Sequence, residues 1–183
     1  MLQTYTELCE IVDSGYITNV TPDLINAASI DVTLGSVFWR EAPSDLKNRP
    51  VRLAKRQAPR MECVNLDLGG ECTLEPGEFI LAQTEQEFYL PNWLAAEFRL
   101  KSSGARSGLD QALAVWCDPG WHGSVLTLEL KNGLRRTPLT VEPGMKIGQM
   151  IFFRGTPVPP AASYALRGQY NLDKTTQPSK GIR

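Results

Sequence analysis

From Ile30 to Arg154 the chain is punctuated by glycine and proline, and between the breaks lie short runs in which apolar and polar residues alternate. Alternation with period two buries one face of a strand and cannot bury one face of a helix. Runs of roughly 5 to 8 residues closed by turn residues are the pattern of short strands in a sandwich or barrel. Strands are predicted over residues 29–34, 37–40, 78–83, 87–89, 95–100, 123–131, 139–141 and 149–154. Glu75-Pro76-Gly77 and Glu142-Pro143-Gly144 form matching turns ahead of two of them. The exception stands at the start. There Leu8, Ile11 and Val12 recur at helical spacing until Asp13-Ser14-Gly15, which predicts one short amphipathic helix.

No boundary interrupts this pattern, and 183 residues suit one domain, residues 1–183, able to fold without disulfides. Residues 43–60 carry Lys47, Arg49, Arg52, Lys55, Arg56 and Arg60 among prolines, which reads as an exposed loop or insertion. Residues 169–183 are polar and aperiodic: a flexible C-terminal lid that orders against a ligand or another subunit. With 19 basic and 20 acidic residues the charge is balanced, which argues against duplex nucleic acid or an anionic membrane as partner, so any anion site is local. Cys9, Cys63, Cys72 and Cys117 have no short paired spacing, and Met1-Leu2-Gln3-Thr4 opens no secretory segment. Reduced thiols and a cytoplasmic place are expected. No apolar run approaches the roughly 20 residues of a membrane span.

Three consecutive segments have the composition of a site. Lys101-Ser102-Ser103-Gly104-Ala105-Arg106 offers two cations, two hydroxyls and a glycine directly after an apolar strand. Such a set suits phosphate oxygens, and equally suits a polar turn in which Ser102 or Ser103 caps a helix. Asp118-Pro119-Gly120-Trp121-His122-Gly123 is a turn between strands whose aspartate could also orient a sugar hydroxyl or a water. In the strand that follows, Thr127, Glu129 and Lys131 alternate with Leu128 and Leu130, so Glu129 lies opposite the leucines, on a solvent face or a pocket wall. On a pocket wall its carboxylate is a candidate general base. The adjacent apolar pair Val125-Leu126 breaks the alternation, and a β-bulge there would explain it. A zinc-dependent deaminase needs a His or Cys ligand, a catalytic Glu and a Cys pair two residues apart. The lone histidine, His122, precedes Gly123-Ser124 and no such pair exists, so no resident metal is expected.

Taken in order, Asn26 to Gly35, Pro76 to Ala82, Lys101 to Arg106, Asp118 to Gly123, Thr127 to Asn132 and Pro143 to Met150 resemble the dCTP deaminase branch of the trimeric dUTPase-like family. The resemblance implies a distorted β-barrel and a homotrimer with active sites built between subunits. It implies a deoxynucleoside triphosphate as partner, with Mg²⁺ carried in on the triphosphate. It gives Lys101, Ser102, Ser103 and Arg106 to the phosphates and Asp118 to the sugar and a water. Glu129 falls where the family activates water for attack on C4 of cytosine. Gln169 and Tyr170 match a Lys-Tyr pair that folds over the nucleotide, and Tyr164 matches a further tyrosine near sugar or base.

Departures from the family pattern gather at the base pocket, residues Ala114, Trp116 and Asp173. Leu113 replaces a small hydroxyl residue, and Trp116 stands where monofunctional deaminases have Arg and bifunctional deaminase–dUTPases an aromatic. Asp173 replaces a Gln and Gln169 a Lys, both weakening the tail's hold on an anion. The spacing from Asp118 to Glu129 is one residue longer than in the family, so Glu129 faces the site only if a one-residue bulge intervenes between Gly123 and Thr127. The expected activity is hydrolytic deamination of dCTP to dUTP and ammonia. The alternatives are a bifunctional enzyme that also splits the triphosphate to give dUMP, and a non-catalytic trimeric nucleotide-binding module. Feedback by dTTP, common in the family, is left open.

Overall fold

A computed structural model describes residues 1–43, 50–112 and 114–182, so Lys47, Arg49 and Leu113 lie outside the described residues. The first helix, α1 (Tyr5–Asp13), begins where Glu7 accepts from the Thr4 N–H and hydroxyl, and it buries Leu8 and Ile11. Eleven strands follow among the described residues. They are β1 (Ile30–Thr33), β2 (Val37–Glu41), β3 (Met61–Asn65), β4 (Cys72–Leu74), β5 (Phe79–Tyr89), β6 (Leu94–Leu100), β7 (Leu109–Gln111), β8 (Trp116–Cys117), β9 (His122–Asn132), β10 (Leu139–Val141) and β11 (Lys146–Arg154). Two short helices, α2 (Ser102–Arg106) and α3 (Tyr164–Arg167), follow β6 and β11.

A four-stranded sheet in the order β1-β11-β6-β8 and a five-stranded sheet in the order β3-β2-β5-β9-β7 carry the architecture, with β10 and β4 paired apart. All pairings are antiparallel. Phe98 of β6 and Phe152 of β11 meet Phe38, Ile80, Phe88 and Leu128 of the other sheet in one core, the mainly β, distorted barrel that the sequence predicts. Burial of these side chains, at about 1.5 to 3 kcal/mol each, is what holds the two sheets together.

Two expectations change in detail. Residues 78–83 and 87–89 are one strand, β5, because Thr84 bridges the gap: its hydroxyl donates to the Gln86 carbonyl and accepts from the Leu126 N–H. β3, β4, β7 and β8 lay outside the predicted strands. Each is placed by pairing with a strand remote in the chain or by the sheet edge it completes, β2, β10, β9 and β6 in turn, which a local reading of the sequence does not show.

Candidate active site

β9 is the axis of the site, and its register decides which way Glu129 points. Phe88 pairs with Ser124 and Tyr89 with His122, so Gly123 is an extra residue on β9. Its φ of 69° suits glycine, and a Cβ would meet Leu172 Cδ2 at 2.6 Å. The bulge is therefore at Gly123 and not at Val125-Leu126. The irregularity opposite Leu126 belongs to β5, where the register shifts between Gln83 and Glu87. Val125 does not break the alternation. It shares a face with Thr127 and Glu129, and that face is a cavity wall, while Leu128 and Leu130 enter the core and Leu126 touches both core and cavity.

The cavity measures about 510 Å³. β9 supplies Val125, Thr127 and Glu129, and β5 supplies Phe79 and Leu81. Ala114, Trp116, Cys117 and Asp118 close one side; Tyr164, Tyr170 and Asp173 close another. The turn after Asp118 forms as expected, with the Trp121 N–H donating to the Asp118 carbonyl and Gly120 at φ 88° after Pro119. The Trp116 indole N–H donates to Asp118 Oδ1 over 2.9 Å and fixes that carboxylate at the rim.

Glu129 is the perturbed group. Burial raises its pKa from 4.5 to about 6, opposed by its own backbone N–H and by the Gln111 side chain, whose Nε2 donates to Glu129 Oε2 at 3.0 Å. A carboxyl group in that range gives up or takes a proton near neutral pH, as a general base requires. Burial likewise pushes the Tyr164 phenol and the Cys117 thiol up, so neither ionises easily.

The tail is seated on its own chain along β9. The Trp121 indole donates to the Tyr170 carbonyl, the Val125 N–H to the Asp173 carbonyl, and the Thr176 N–H to Gln83 Oε1. Hydrogen bonds rather than apolar burial position it, which is why no periodicity announces it. Gln169 does not line the cavity; it donates to the Gly181 carbonyl and weakly to the Tyr170 hydroxyl. Sequence reasoning missed Lys180. Its Nζ is 2.8 Å from Asp173 Oδ2, donates to the Gln169 carbonyl and lies 4.9 Å from the Tyr170 ring centre. It also missed Ala58 and Pro59, which wall the cavity from the segment read as an exposed loop, and Met61, which does so from the start of β3.

The phosphate-type segment lies elsewhere. Ser102, Ser103 and Arg106 are exposed on α2, and none of them, nor Lys101, lines the cavity. Lys101, not a serine, is the N-cap of α2, and no side chain caps the helix. Lys101 instead meets Asp31, at 2.8 and 2.9 Å, and Asp31 also accepts from Asn26. Arg106 enters no ion pair among the described residues. The cavity thus carries Asp118, Glu129 and Asp173 and, among its described lining, no lysine or arginine. Among the described residues no three His, Cys, Asp or Glu stand together as a metal-ligand set, and no helix is long and apolar enough to cross a membrane.

Comparison with known proteins bears on the whole chain. Residues 3–155 match the family described as dCTP deaminase-like. The chain is 35% identical over 186 residues to the dUMP-forming dCTP deaminase of Corynebacterium efficiens, covering 99% of this chain and 94% of the relative. To the dUMP-forming dCTP deaminase of Coprothermobacter proteolyticus it is 36% identical over 151 residues, 80% of this chain and 76% of that one. In structure it resembles the 2'-deoxycytidine 5'-triphosphate deaminase of Agrobacterium tumefaciens, with a TM-score of 0.64 at 21% identity, over 84% of this chain and about half (48%) of that longer one. With the family's segments in order and its profile matched across the β core, the chain belongs to the dCTP deaminase-like family.

Proposed function

We propose that the protein is a bifunctional enzyme that deaminates dCTP and splits the triphosphate, releasing ammonia, pyrophosphate and dUMP. The observation that carries the reading is the Glu129 carboxylate, facing the cavity with its pKa raised to about 6. Ionised, Glu129 takes a proton from a water whose oxygen adds to C4 of cytosine. Protonated, it returns that proton to the C4 amino nitrogen and ammonia leaves, the remaining C4 hydroxyl proton passing to N3 as the C4 carbonyl forms. One carboxylate serves both steps. Splitting the triphosphate is a second hydrolysis, in which water adds at the α-phosphorus and pyrophosphate departs. Two findings favour dUMP over dUTP as product: the relatives that the chain matches along most of their length are dUMP-forming, and Trp116 is aromatic where the family's monofunctional members have Arg.

Mg²⁺ enters as part of the substrate, on the triphosphate oxygens. The remaining charge needs cations that the described cavity lining lacks, and the chain carries Lys101 and Arg106 at the two ends of α2. We therefore read the working form as a homotrimer in which the Lys101 to Arg106 segment of one copy faces the Glu129 cavity of another. Product analysis from dCTP, dCMP and dUTP with Mg²⁺ tests the activity. Ammonia and pyrophosphate released in step from dCTP are expected; ammonia alone means the product is dUTP, and neither means a binding module. Coexpression of Glu129→Gln with Arg106→Ala chains tests the shared site. Each variant alone is inactive or weak, and mixed assemblies recover a fraction of activity if the two residues act from different copies.

A further inference from the structure

β7 is three residues long and ends the five-stranded sheet, pairing with the far end of β9: Leu109 with Asn132, Asp110 with Lys131, Gln111 with Leu130. The strand is too short to add much apolar burial, yet its pairing continues past its end, where the Ala112 N–H donates to the Glu129 carbonyl. These bonds fix Gln111 beside Glu129 on the inward side of the strand, with only 7% of its surface exposed. From this seat Gln111 Nε2 reaches Glu129 Oε2 at 3.0 Å. It is the one side-chain donor on that carboxylate among the described residues.

The other groups around the carboxylate cannot take its place. The titratable groups that share the cavity are Cys117 from β8, Asp118 at its end, Tyr164 of α3, and Tyr170 and Asp173 of the tail. Two are carboxyl groups, two are phenols and one is a thiol, and none is a lysine or arginine. Leu81, opposite on β5, is apolar. A lysine in place of Gln111 would hold Glu129 ionised and weaken it as a base; an aliphatic residue would leave a half-buried anion without a donor. An amide does neither. It donates to the carboxylate and, turned about its last torsion, accepts from the carboxylic acid, so it can serve both protonation states that the reaction visits.

We infer that Gln111 is a positioning residue for Glu129, holding the carboxylate toward the cavity and setting how readily it takes a proton. The inference rests on the proposed role of Glu129 and is separable from it by experiment. Gln111→Met keeps the length and apolar volume and removes the donor. Removing a donor from the ionised form raises the pKa, so the acid limb of kcat/KM for dCTP should move up by about one pH unit. Ammonia release at pH 6 should then fall several-fold against the native enzyme, while at pH 8.5 the two agree within about threefold. Gln111→Glu, which sets a second anion against the first, should move the limb further. The side-chain carboxyl resonance of Glu129 in ¹³C-labelled protein, assigned with Glu129→Gln, gives the same midpoint without turnover. A Glu129 midpoint unmoved in Gln111→Met, or a fall in rate equal at every pH, overturns the inference. If the native protein releases no ammonia from dCTP, the proposed function fails, and the carboxyl titration still decides whether Gln111 sets the proton affinity of Glu129.

Discussion

Glu129 and the Lys101 to Arg106 segment are the two most chemical features of the chain, and the fold treats them in opposite ways. Glu129 is set on a strand of the five-stranded sheet flanked on both sides, by β5 and β7, backed by Leu128 and Leu130, aimed by a glycine bulge and touched by a buried amide. The segment from Ser102 to Arg106 is a single exposed helical turn after β6, with hydroxyls that cap nothing. The carboxylate must be dry to be a base of useful strength, so one chain builds its surroundings completely. Cations for a mobile triphosphate gain from exposure until the ligand arrives. On the proposed reading, chemistry is assembled within the chain and charge capture is displayed on its surface.

Glu129→Gln should break the first half outright. Losing general-base catalysis costs about 10²- to 10⁴-fold, so ammonia release from dCTP should fall by that order while nucleotide binding, read by calorimetry, stays within a few-fold. Unchanged turnover would remove Glu129 from the mechanism. Arg106→Ala should act on the other half, raising KM for dCTP by about tenfold or more with stability unaltered within about 0.5 kcal/mol, since Arg106 is exposed and enters no ion pair among the described residues. Lys101→Met sharpens the contrast. The Asp31 side chain is 5% exposed and would lose its nearer ammonium, keeping only Lys146 at 4.0 Å and the Asn26 amide, so this variant should lower unfolding stability by about 1 to 3 kcal/mol in denaturant titration.

What the sequence discloses divides along the same line. Local signals were legible: the α1 periodicity, the Asp118-Pro119-Gly120 turn, the Leu128 to Leu130 alternation and the composition of Lys101 to Arg106 are contiguous in the chain. The need for an extra residue before Glu129 was legible too, but its place was not. Val125 reads as out of phase because an apolar residue on a pocket wall looks like a core residue, whereas Gly123, which carries the bulge, reads as part of a turn. Gln111 was invisible: a single glutamine on a three-residue strand gains meaning only when β7 pairs with β9, 18 positions from its partner. The same holds for Lys180, which ends up on Asp173 and Tyr170 through a tail without periodicity.

Two smaller effects test whether the cavity costs what a built site should. A carboxyl whose pKa is 4.5 unfolded and about 6 folded is disfavoured in the native state once ionised. The penalty is absent below about pH 4.5, grows as pH rises to about 6 and is constant above, at about 2 kcal/mol. Glu129→Gln should therefore be more stable than the native protein by up to that amount at pH 7 to 8, with the two converging near pH 4; a variant less stable at neutral pH would mean that the carboxylate is a support and not a strain. The smallest effect belongs to Lys180. Its ammonium is shared with Asp173 and exposed, so it contributes to an anion at the mouth only through partial charge in water. Lys180→Met should raise KM for dCTP about threefold at low ionic strength and by little at high salt, with kcat unchanged. A loss of kcat instead would place Lys180 with the reacting groups, and the division between a dry catalytic wall and a solvated charge-gathering rim would no longer hold at the tail.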